Sequence, residues 1–331
     1  MTKVAINGMG RIGRAALKII MDRPELELVA VNDLMDLDNL VYLLNYDTVY
    51  GVYKHRATAS GDGLVVNGKS IKFLSVKDPA QLPWKDLGVE IVLECTGLFT
   101  TSEGLNKHLA AGAKYAMLSA PPKGEQVCCI VHGVTQPEAG DRMISCASCT
   151  TNCITPVVEI MGRRIGVKKA VMTTIHAYTS SQAMVDGPNK KFRRGRAGAA
   201  NLVPTSTGAA VATTNTLPQY KGKFDGVSVR CPVPCGSVAD LVFVTERPTT
   251  VEEINQIFKE EAGGRYKNIL EYATDPIVSS DIIMNPHASI FDPSMTQVVD
   301  GDLVKVFSWY DNEWGYTNQM VREVLQLSKQ G

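Results

Sequence analysis

The run Gly8-Met9-Gly10-Arg11-Ile12-Gly13 constrains this chain more than any other feature. It follows the apolar stretch Val4-Ala5-Ile6 and leads into Ile12, Ala15, Ala16 and Ile19, which recur at helical spacing. A strand that turns into a helix on three glycines gains a tight turn, room for a pyrophosphate to approach the backbone, and close helix-on-strand packing. The free N–H groups and dipole at that helix start favour negative charge. A second strand-like run, 28–32, ends at Asp33, twenty positions after Gly13, where a carboxylate can accept hydrogen bonds from a ribose. Its charge repels a 2′-phosphate, so NAD is expected rather than NADP. Taken alone, the glycines also describe a plain turn, and Asp33 a helix N-cap or solvated carboxylate; together they favour a dinucleotide site.

The surrounding pattern supplies the fold class. Strand-like and helical stretches alternate through residues 4–6, 11–21, 28–32 and 39–45, the rhythm of a parallel sheet wrapped by helices. Residues 64–66 and 71–73 flank Asn67-Gly68, a pair suited to a type I′ turn, so a hairpin is expected among the parallel strands. Strand signals resume at 90–94, 115–118 and 128–131, with a helix near 103–111. Beyond about 148 the runs 170–175, 226–230, 238–245 and 303–309 are richer in β-type residues and read as a mainly antiparallel or mixed sheet. Thr250-Val251-Glu252-Glu253 is a capping box ahead of Ile254, Ile257 and Phe258. The expected architecture is α/β: a doubly wound, Rossmann-like dinucleotide-binding domain at 1–148, completed by a C-terminal helix at about 313–331, and an α+β catalytic domain at 149–312. A length of 331 residues suits two such cores.

Chemistry concentrates around Cys149. Ser148-Cys149-Thr150-Thr151-Asn152-Cys153 precedes the apolar run Ile154, Val157, Val158, Ile160 and Met161, which puts Cys149 at a helix start, where the dipole lowers a thiol's pKa. His176 ends the strand-like run 171–175 and is a candidate base, although spacing alone allows a structural histidine equally well. Cys146, Cys149 and Cys153 also form C-x2-C-x3-C, a pattern open to a redox pair, a metal or an iron–sulfur site. No second close pair supplies a fourth ligand, so no metal is expected.

Composition narrows the partners. Lys+Arg and Asp+Glu both total 34, which leaves no global field for nucleic acid or anionic membrane. No apolar run approaches the roughly eighteen residues of a membrane span. Met1-Thr2-Lys3 leads straight into the first strand, without the regions of a secretion signal, so a cytoplasmic location is expected. Eight cysteines without a spaced framework read as reduced thiols. The basic run 190–196 is open to reading as a nucleic-acid patch.

Three segments carry a resemblance: Ala5-Ile6-Asn7-Gly8 through Arg14, Ala147-Ser148-Cys149-Thr150-Thr151-Asn152-Cys153, and Trp309-Tyr310-Asp311-Asn312-Glu313-Trp314-Gly315-Tyr316. With them the chain resembles the phosphorylating, NAD-dependent glyceraldehyde-3-phosphate dehydrogenases over essentially its whole length. The resemblance implies that the Cys149 thiolate adds to the aldehyde, that a hemithioacetal is oxidised to a thioester, and that inorganic phosphate releases 1,3-bisphosphoglycerate. His176 would be the acid/base partner. Thr179, Arg194 and Arg230 would hold the substrate's phosphate ester, and Ser148, Thr150, Thr207 and Gly208 the attacking phosphate.

On the cofactor side the same resemblance points to Asn7, Gly8, Gly10, Arg11, Ile12, Asp33, Lys77, Thr96, Ser119 and Asn312, with Asn312 on the nicotinamide carboxamide. Leu34 and Pro188 match the NAD-preferring form. The family uses the segment 178–202, which contains the basic run, to reach a neighbouring subunit, so a homotetramer is expected and nucleic acid is not the main partner. Several positions depart from the family pattern: Met9 for Phe, Cys146 for Asn, Cys231, Val233, Cys235 and Gly236 for Val, Thr, Asn and Val, and Ser181 for the Asp of many bacterial members. The rivals are an erythrose-4-phosphate dehydrogenase, whose acid leaves by attack of water, and a non-catalytic nucleotide- or RNA-binding homologue. The His-Ala-Tyr-Thr run at 176–179 favours the phosphorylating enzyme.

Overall fold

The computed structural model describes residues 1–124 and 126–329. Glu125, within the expected first domain, and Gln330 and Gly331, at the end of the expected C-terminal helix, lie outside the described residues. The chain divides into two compact units: Met1–His132 with Gln136–Ala147 and Thr317–Gly331, and Gly133–Thr135 with Ser148–Tyr316.

The first unit runs β1 (Thr2–Asn7), α1 (Arg11–Ile20), β2 (Leu26–Asn32), α2 (Leu37–Asn45), a small hairpin of β3 (Tyr46–Asp47) and β4 (Gly51–Val52), then β5 (Ala57–Ser60), β6 (Gly63–Val66) and β7 (Lys69–Leu74). It continues through α3 (Trp84–Leu87), β8 (Ile91–Glu94), α4 (Ser102–Ala110), β9 (Tyr115–Leu118), β10 (Cys128–Cys129) and β11 (Met143–Ser145). Nine strands form one sheet in the order β10-β11-β9-β8-β1-β2-β7-β6-β5. The seven strands from β10 to β7 in that order pair in parallel, and the order reverses about β1, so the carboxyl ends of β1, β2 and β8 open a crevice. β6 and β7 form the expected hairpin, with Asn67 at φ 51° and Gly68 at φ 74° in the left-handed pair that a type I′ turn demands. The expected strand at 128–131 is shorter, because the chain leaves the ladder after Ile130 donates to Ser145 O at 2.9 Å.

The second unit contains α5 (Cys149–Arg164), β12 (Val167–Ala177), β13 (Val203–Ser206), α6 (Ala209–Thr216), β14 (Phe224–Cys231), β15 (Ser237–Thr245), α7 (Val251–Gly263), β16 (Leu270–Tyr272), β17 (Ser289–Val299) and β18 (Leu303–Tyr310). Seven strands order as β13-β14-β12-β15-β18-β17-β16. β12 pairs in parallel with β14 and antiparallel with β15, so the sheet is mixed. One sheet face is buried under α5 and α7 through Ile154, Val157, Phe258 and Phe291, the two phenylalanines stacking at 4.0 Å. The α7 cap is as expected: Thr250 accepts from Glu253 N. α8 (Trp314–Leu327) closes the described chain, and its residues from Thr317 group with the first unit.

Candidate active site

The glycine turn has a steric cause. Gly8 sits at φ 97°, and a Cβ there would lie 2.6 Å from Thr96 N; a Cβ on Gly13 would lie 1.9 Å from Gly8 O. Gly10 differs: a Cβ would meet nothing within 4 Å. It stands before α1, and it offers no side-chain cap to that helix start, whose dipole favours negative charge. Beside them lies a cleft of about 730 Å³ lined by Gly8, Gly10, Asp33, Leu34, Lys77 and Thr96, among others. A dinucleotide's adenosine and pyrophosphate fit this donor set and volume.

Asp33 closes the turn, its Oδ2 accepting from Met9 N at 2.6 Å and its Oδ1 from Met35 N at 3.0 Å. Lys77 is exposed on the cleft wall. Ile12 is half-buried in the first turn of α1, and Arg11 beside it pairs with Asp47 and lies over the Tyr50 ring at 5.1 Å. Asn7 and Thr96 turn inward. The buried Glu94 carboxylate accepts from Asn7 Nδ2 at 2.6 Å, His108 Nε2 at 3.0 Å, Thr96 N at 2.8 Å and the Thr96 hydroxyl. Trp84 Nε1 donates to His108 Nδ1 at 3.1 Å, which fixes the imidazole as the neutral Nε2–H tautomer. Ser119 follows β9, with its amide donating to Glu94 O at 3.0 Å. The sequence reading misses this buried support, because Glu94 and His108 belong to no motif.

In the second unit Ser148 is the N-cap of α5, its hydroxyl accepting from Thr151 N at 3.1 Å, and Cys149 is the first helical residue. β12 carries His176, whose Nε2 lies 3.4 Å from Cys149 Sγ. His176 Nδ1 lies 2.7 Å from Ala177 O, which selects the Nδ1–H tautomer and leaves the Nε2 lone pair facing the thiol. Tyr310 joins the two supporting elements: its hydroxyl lies 2.8 Å from both Thr150 Oγ1 and Thr174 Oγ1. No spacing rule reveals that link, and the Thr150 hydroxyl is buried within it.

The electrostatics differ from the sequence expectation. Burial pushes the Cys149 thiol up, more than the Arg230 charge and the Thr150 hydrogen bonds bring it down, so the helix start does not produce a lowered thiol pKa here. Burial also carries His176 down to about 3, helped by the Arg230 charge. Both effects favour a neutral thiol–imidazole pair in contact.

Two guanidinium groups complete the site. Arg230 Nη1 lies 2.9 Å from His176 Nδ1 and donates to Ala177 O at 3.1 Å, while its Nε is buried without a hydrogen-bond partner among the described residues. Arg194 donates to Thr205 Oγ1 at 3.1 Å and to Ser181 Oγ at 3.3 Å, and Ser181 Oγ lies 2.8 Å from Thr179 Oγ1. Burial, then the charge of Arg230, lowers Arg194. Two cations facing each other's field make a receptor for an anion. Thr207 and Gly208 stand at the start of α6, with Thr207 Oγ1 accepting from Ala209 N at 3.2 Å. That helix meets α5 through Thr155 and Thr213, whose hydroxyls lie 3.1 Å apart. Asn312 is buried after β18, with its amide oxygen held by residues 236 and 237.

Among the described residues no group of three or more His, Cys, Asp or Glu side chains is arranged to hold a metal ion, and none of the eight cysteines is in a disulfide. No helix there is long and apolar enough to cross a membrane.

Comparison with known proteins agrees with this chemistry. Residues 2–102 match the family model for the glyceraldehyde 3-phosphate dehydrogenase NAD binding domain, and residues 148–312 match that for the C-terminal domain. The chain is 47% identical over 323 residues to glyceraldehyde-3-phosphate dehydrogenase 2 of Streptomyces avermitilis, covering 96% of each chain. It is 45% identical over 332 residues to the Zymomonas mobilis glyceraldehyde-3-phosphate dehydrogenase, covering 99% of this chain and 98% of the relative. With glyceraldehyde-3-phosphate dehydrogenase 1 of Bacillus subtilis it shares 46% over 332 residues, 99% of each. The chain belongs to the glyceraldehyde-3-phosphate dehydrogenase family, as an NAD-dependent oxidoreductase.

Proposed function

We propose that Cys149 is the nucleophile of a phosphorylating oxidation of glyceraldehyde 3-phosphate, with a thioester on its sulfur as the intermediate. The observation that carries this reading is the 3.4 Å contact between Cys149 Sγ and His176 Nε2, with the imidazole's other nitrogen held on a carbonyl. The pair passes the thiol proton to Nε2 as the sulfur bonds to the aldehyde carbon, which avoids an isolated buried charge. The Cys149 backbone N–H and the protonated His176 stabilise the oxyanion that forms. His176 gives that proton to the oxyanion, completing the hemithioacetal, and the neutral ring takes the same hydroxyl proton back as the carbonyl re-forms and the hydride leaves the carbon. NAD, when bound, supplies the hydride acceptor for this oxidation.

Arg194 and Arg230, with Thr179 beside them, hold the substrate's phosphate ester; the unpartnered Arg230 Nε and the mutual field of the two cations support that role. Ser148, Thr150, Thr207 and Gly208 are assigned to the attacking phosphate. The hydroxyls of Ser148, Thr150 and Thr207 already serve Thr151, Tyr310 and Ala209, so they reach the ion as shared donors. NAD is held at Gly8, Gly10, Arg11, Ile12, Asp33, Lys77, Thr96 and Ser119, over a floor set by Asn7, with the nicotinamide carboxamide on Asn312. Thus 1–148 and the C-terminal helix are assigned to the cofactor, apart from Ser148 on the attacking phosphate, and 149–312 to the acyl chemistry, apart from the carboxamide contact of Asn312.

We assign the active form to a homotetramer in the cytoplasm. Val171, Val227 and Leu303 are exposed on one face of the second sheet, and Met184, Val185 and Phe192 in the segment 178–202, apolar positions suited to burial against partner chains. The eight thiols suit a reducing compartment. Sedimentation at micromolar concentration checks the assembly, with four chains expected. The activity is tested by following NADH formation from glyceraldehyde 3-phosphate with and without inorganic phosphate, and again with erythrose 4-phosphate. Phosphate-dependent turnover of the triose is expected; phosphate-independent release of acid from the tetrose as the main activity overturns the reading.

A further inference from the structure

Three consecutive residues, Cys235, Gly236 and Ser237, each donate to the dipeptide Asp311-Asn312. Cys235 Sγ reaches Asp311 Oδ1 at 3.2 Å, Gly236 N reaches Asn312 Oδ1 at 3.1 Å, and Ser237 Oγ reaches the same oxygen at 2.9 Å. Asp311 in turn accepts from Glu313 N and Trp314 N at 2.9 and 2.7 Å, which fixes the start of α8. Gly236 makes its contact from φ 91°, where a Cβ would come within 2.4 Å of Ser279 O.

Ser237 has a further connection. It is the first residue of β15, between the carboxyl ends of β12 and β18, and its Oγ accepts from Ala177 N at 3.1 Å. That acceptance uses an oxygen lone pair, so the hydroxyl proton is available for Asn312 Oδ1. A continuous path therefore joins His176 Nδ1, Ala177 O, the Ala177 backbone through its Cα to Ala177 N, Ser237 Oγ and Asn312 Oδ1. Every member is buried, and Ser237 is 1% exposed.

The identity of the two donors decides which way Asn312 points. A backbone N–H can only donate, so the atom facing Gly236 N is the amide oxygen, and the Ser237 hydroxyl reinforces that choice. With the oxygen held by two donors, the Nδ2 hydrogens are the groups that Asn312 retains for a ligand. We propose that Ser237 is a positioning residue for the nicotinamide, acting through Asn312: it locks the amide as a hydrogen-bond donor toward the carboxamide oxygen and ties that donor to the strand that carries His176. The proposal rests on the assignment of Asn312 to the carboxamide.

The test is a double-mutant cycle read by calorimetric dissociation constants for NAD and for ADP-ribose, which lacks the nicotinamide. Asn312→Ala is expected to weaken NAD and leave ADP-ribose unchanged. Ser237→Ala is expected to weaken NAD about fivefold to tenfold, the effect of one lost orienting hydrogen bond, also with ADP-ribose unchanged. In the Asn312→Ala background Ser237→Ala is expected to add less than about twofold, and Ser237→Thr, which keeps a hydroxyl, to recover most of the NAD affinity. Thermal unfolding of each variant checks that it is folded. If Asn312→Ala leaves NAD binding intact, the carboxamide assignment itself fails. If Asn312→Ala weakens NAD but Ser237→Ala does not, or if the two losses multiply independently, the positioning role is overturned and the assignment stands.

Discussion

Arg230 and His176 share one acceptor: Nη1 and Nδ1 converge on Ala177 O at 3.1 and 2.7 Å while lying 2.9 Å from each other. Burial first, and then the permanent cation beside the imidazole, make protonation of the ring costly and leave His176 neutral with a lone pair toward Cys149. With Arg230 proposed to meet the phosphate ester, substrate binding would partly neutralise the charge that helps burial hold the base down.

The first consequence concerns stability against pH. His176 goes from an ordinary value of 6.5 to about 3 in the folded chain. The unfolded chain therefore binds the proton first, and the contribution of the neutral imidazole is complete above about 6.5 and is lost as pH falls toward about 3. It is on the order of 5 kcal/mol. His176→Asn should flatten the acid limb of a denaturation midpoint measured across that window. An unchanged slope would show that the imidazole is not held neutral.

Removing one guanidinium should separate the phosphate group from the aldehyde. Arg194→Ala is expected to raise the KM for glyceraldehyde 3-phosphate roughly 10- to 100-fold, as for a lost charge-assisted hydrogen bond, and to leave turnover of unphosphorylated glyceraldehyde within about twofold. Steady-state kinetics with both aldehydes checks this, and equal losses on both would contradict it.

Asp33 supports the turn and is proposed to select the ribose. Asp33→Ala is expected to weaken NAD about tenfold, since Met9 N also loses its acceptor, and to narrow the preference for NAD over NADP. The ratio of the two dissociation constants is the readout, and an unchanged ratio would remove Asp33 from the specificity.

Tyr310→Phe keeps the ring and deletes the oxygen between Thr150 and Thr174. Two buried hydroxyls lose a partner, so a loss of about 1–3 kcal/mol is expected in denaturant unfolding. No loss would mean that those hydroxyls find other acceptors.

The sequence made some of this legible, and the reason is locality. The glycine turn, the Asn67-Gly68 hairpin and the Thr250 cap are written in adjacent residues, and each appears where the local pattern puts it. Cys149 and His176 are visible as element ends, but their approach depends on how α5 packs over β12, which no spacing encodes. The thiol's pKa follows burial rather than the helix start, and burial is a property of the packed unit. Glu94, His108, Ser237 and Tyr310 escape sequence reading for the same reason: the pairs Glu94–His108, Ser237–Asn312 and Thr150–Tyr310 lie 14, 75 and 160 positions apart.

The central claim is that one sulfur, at Cys149, carries the acyl group. The most direct measurement is intact and peptide mass spectrometry of enzyme quenched with acid after a single turnover of glyceraldehyde 3-phosphate and NAD without inorganic phosphate. A phosphoglyceroyl adduct on the peptide that contains Cys149, discharged when phosphate is added, is the predicted result. NADH formed in stoichiometric amount with no adduct, or with the adduct on another of the eight cysteines, would contradict the account.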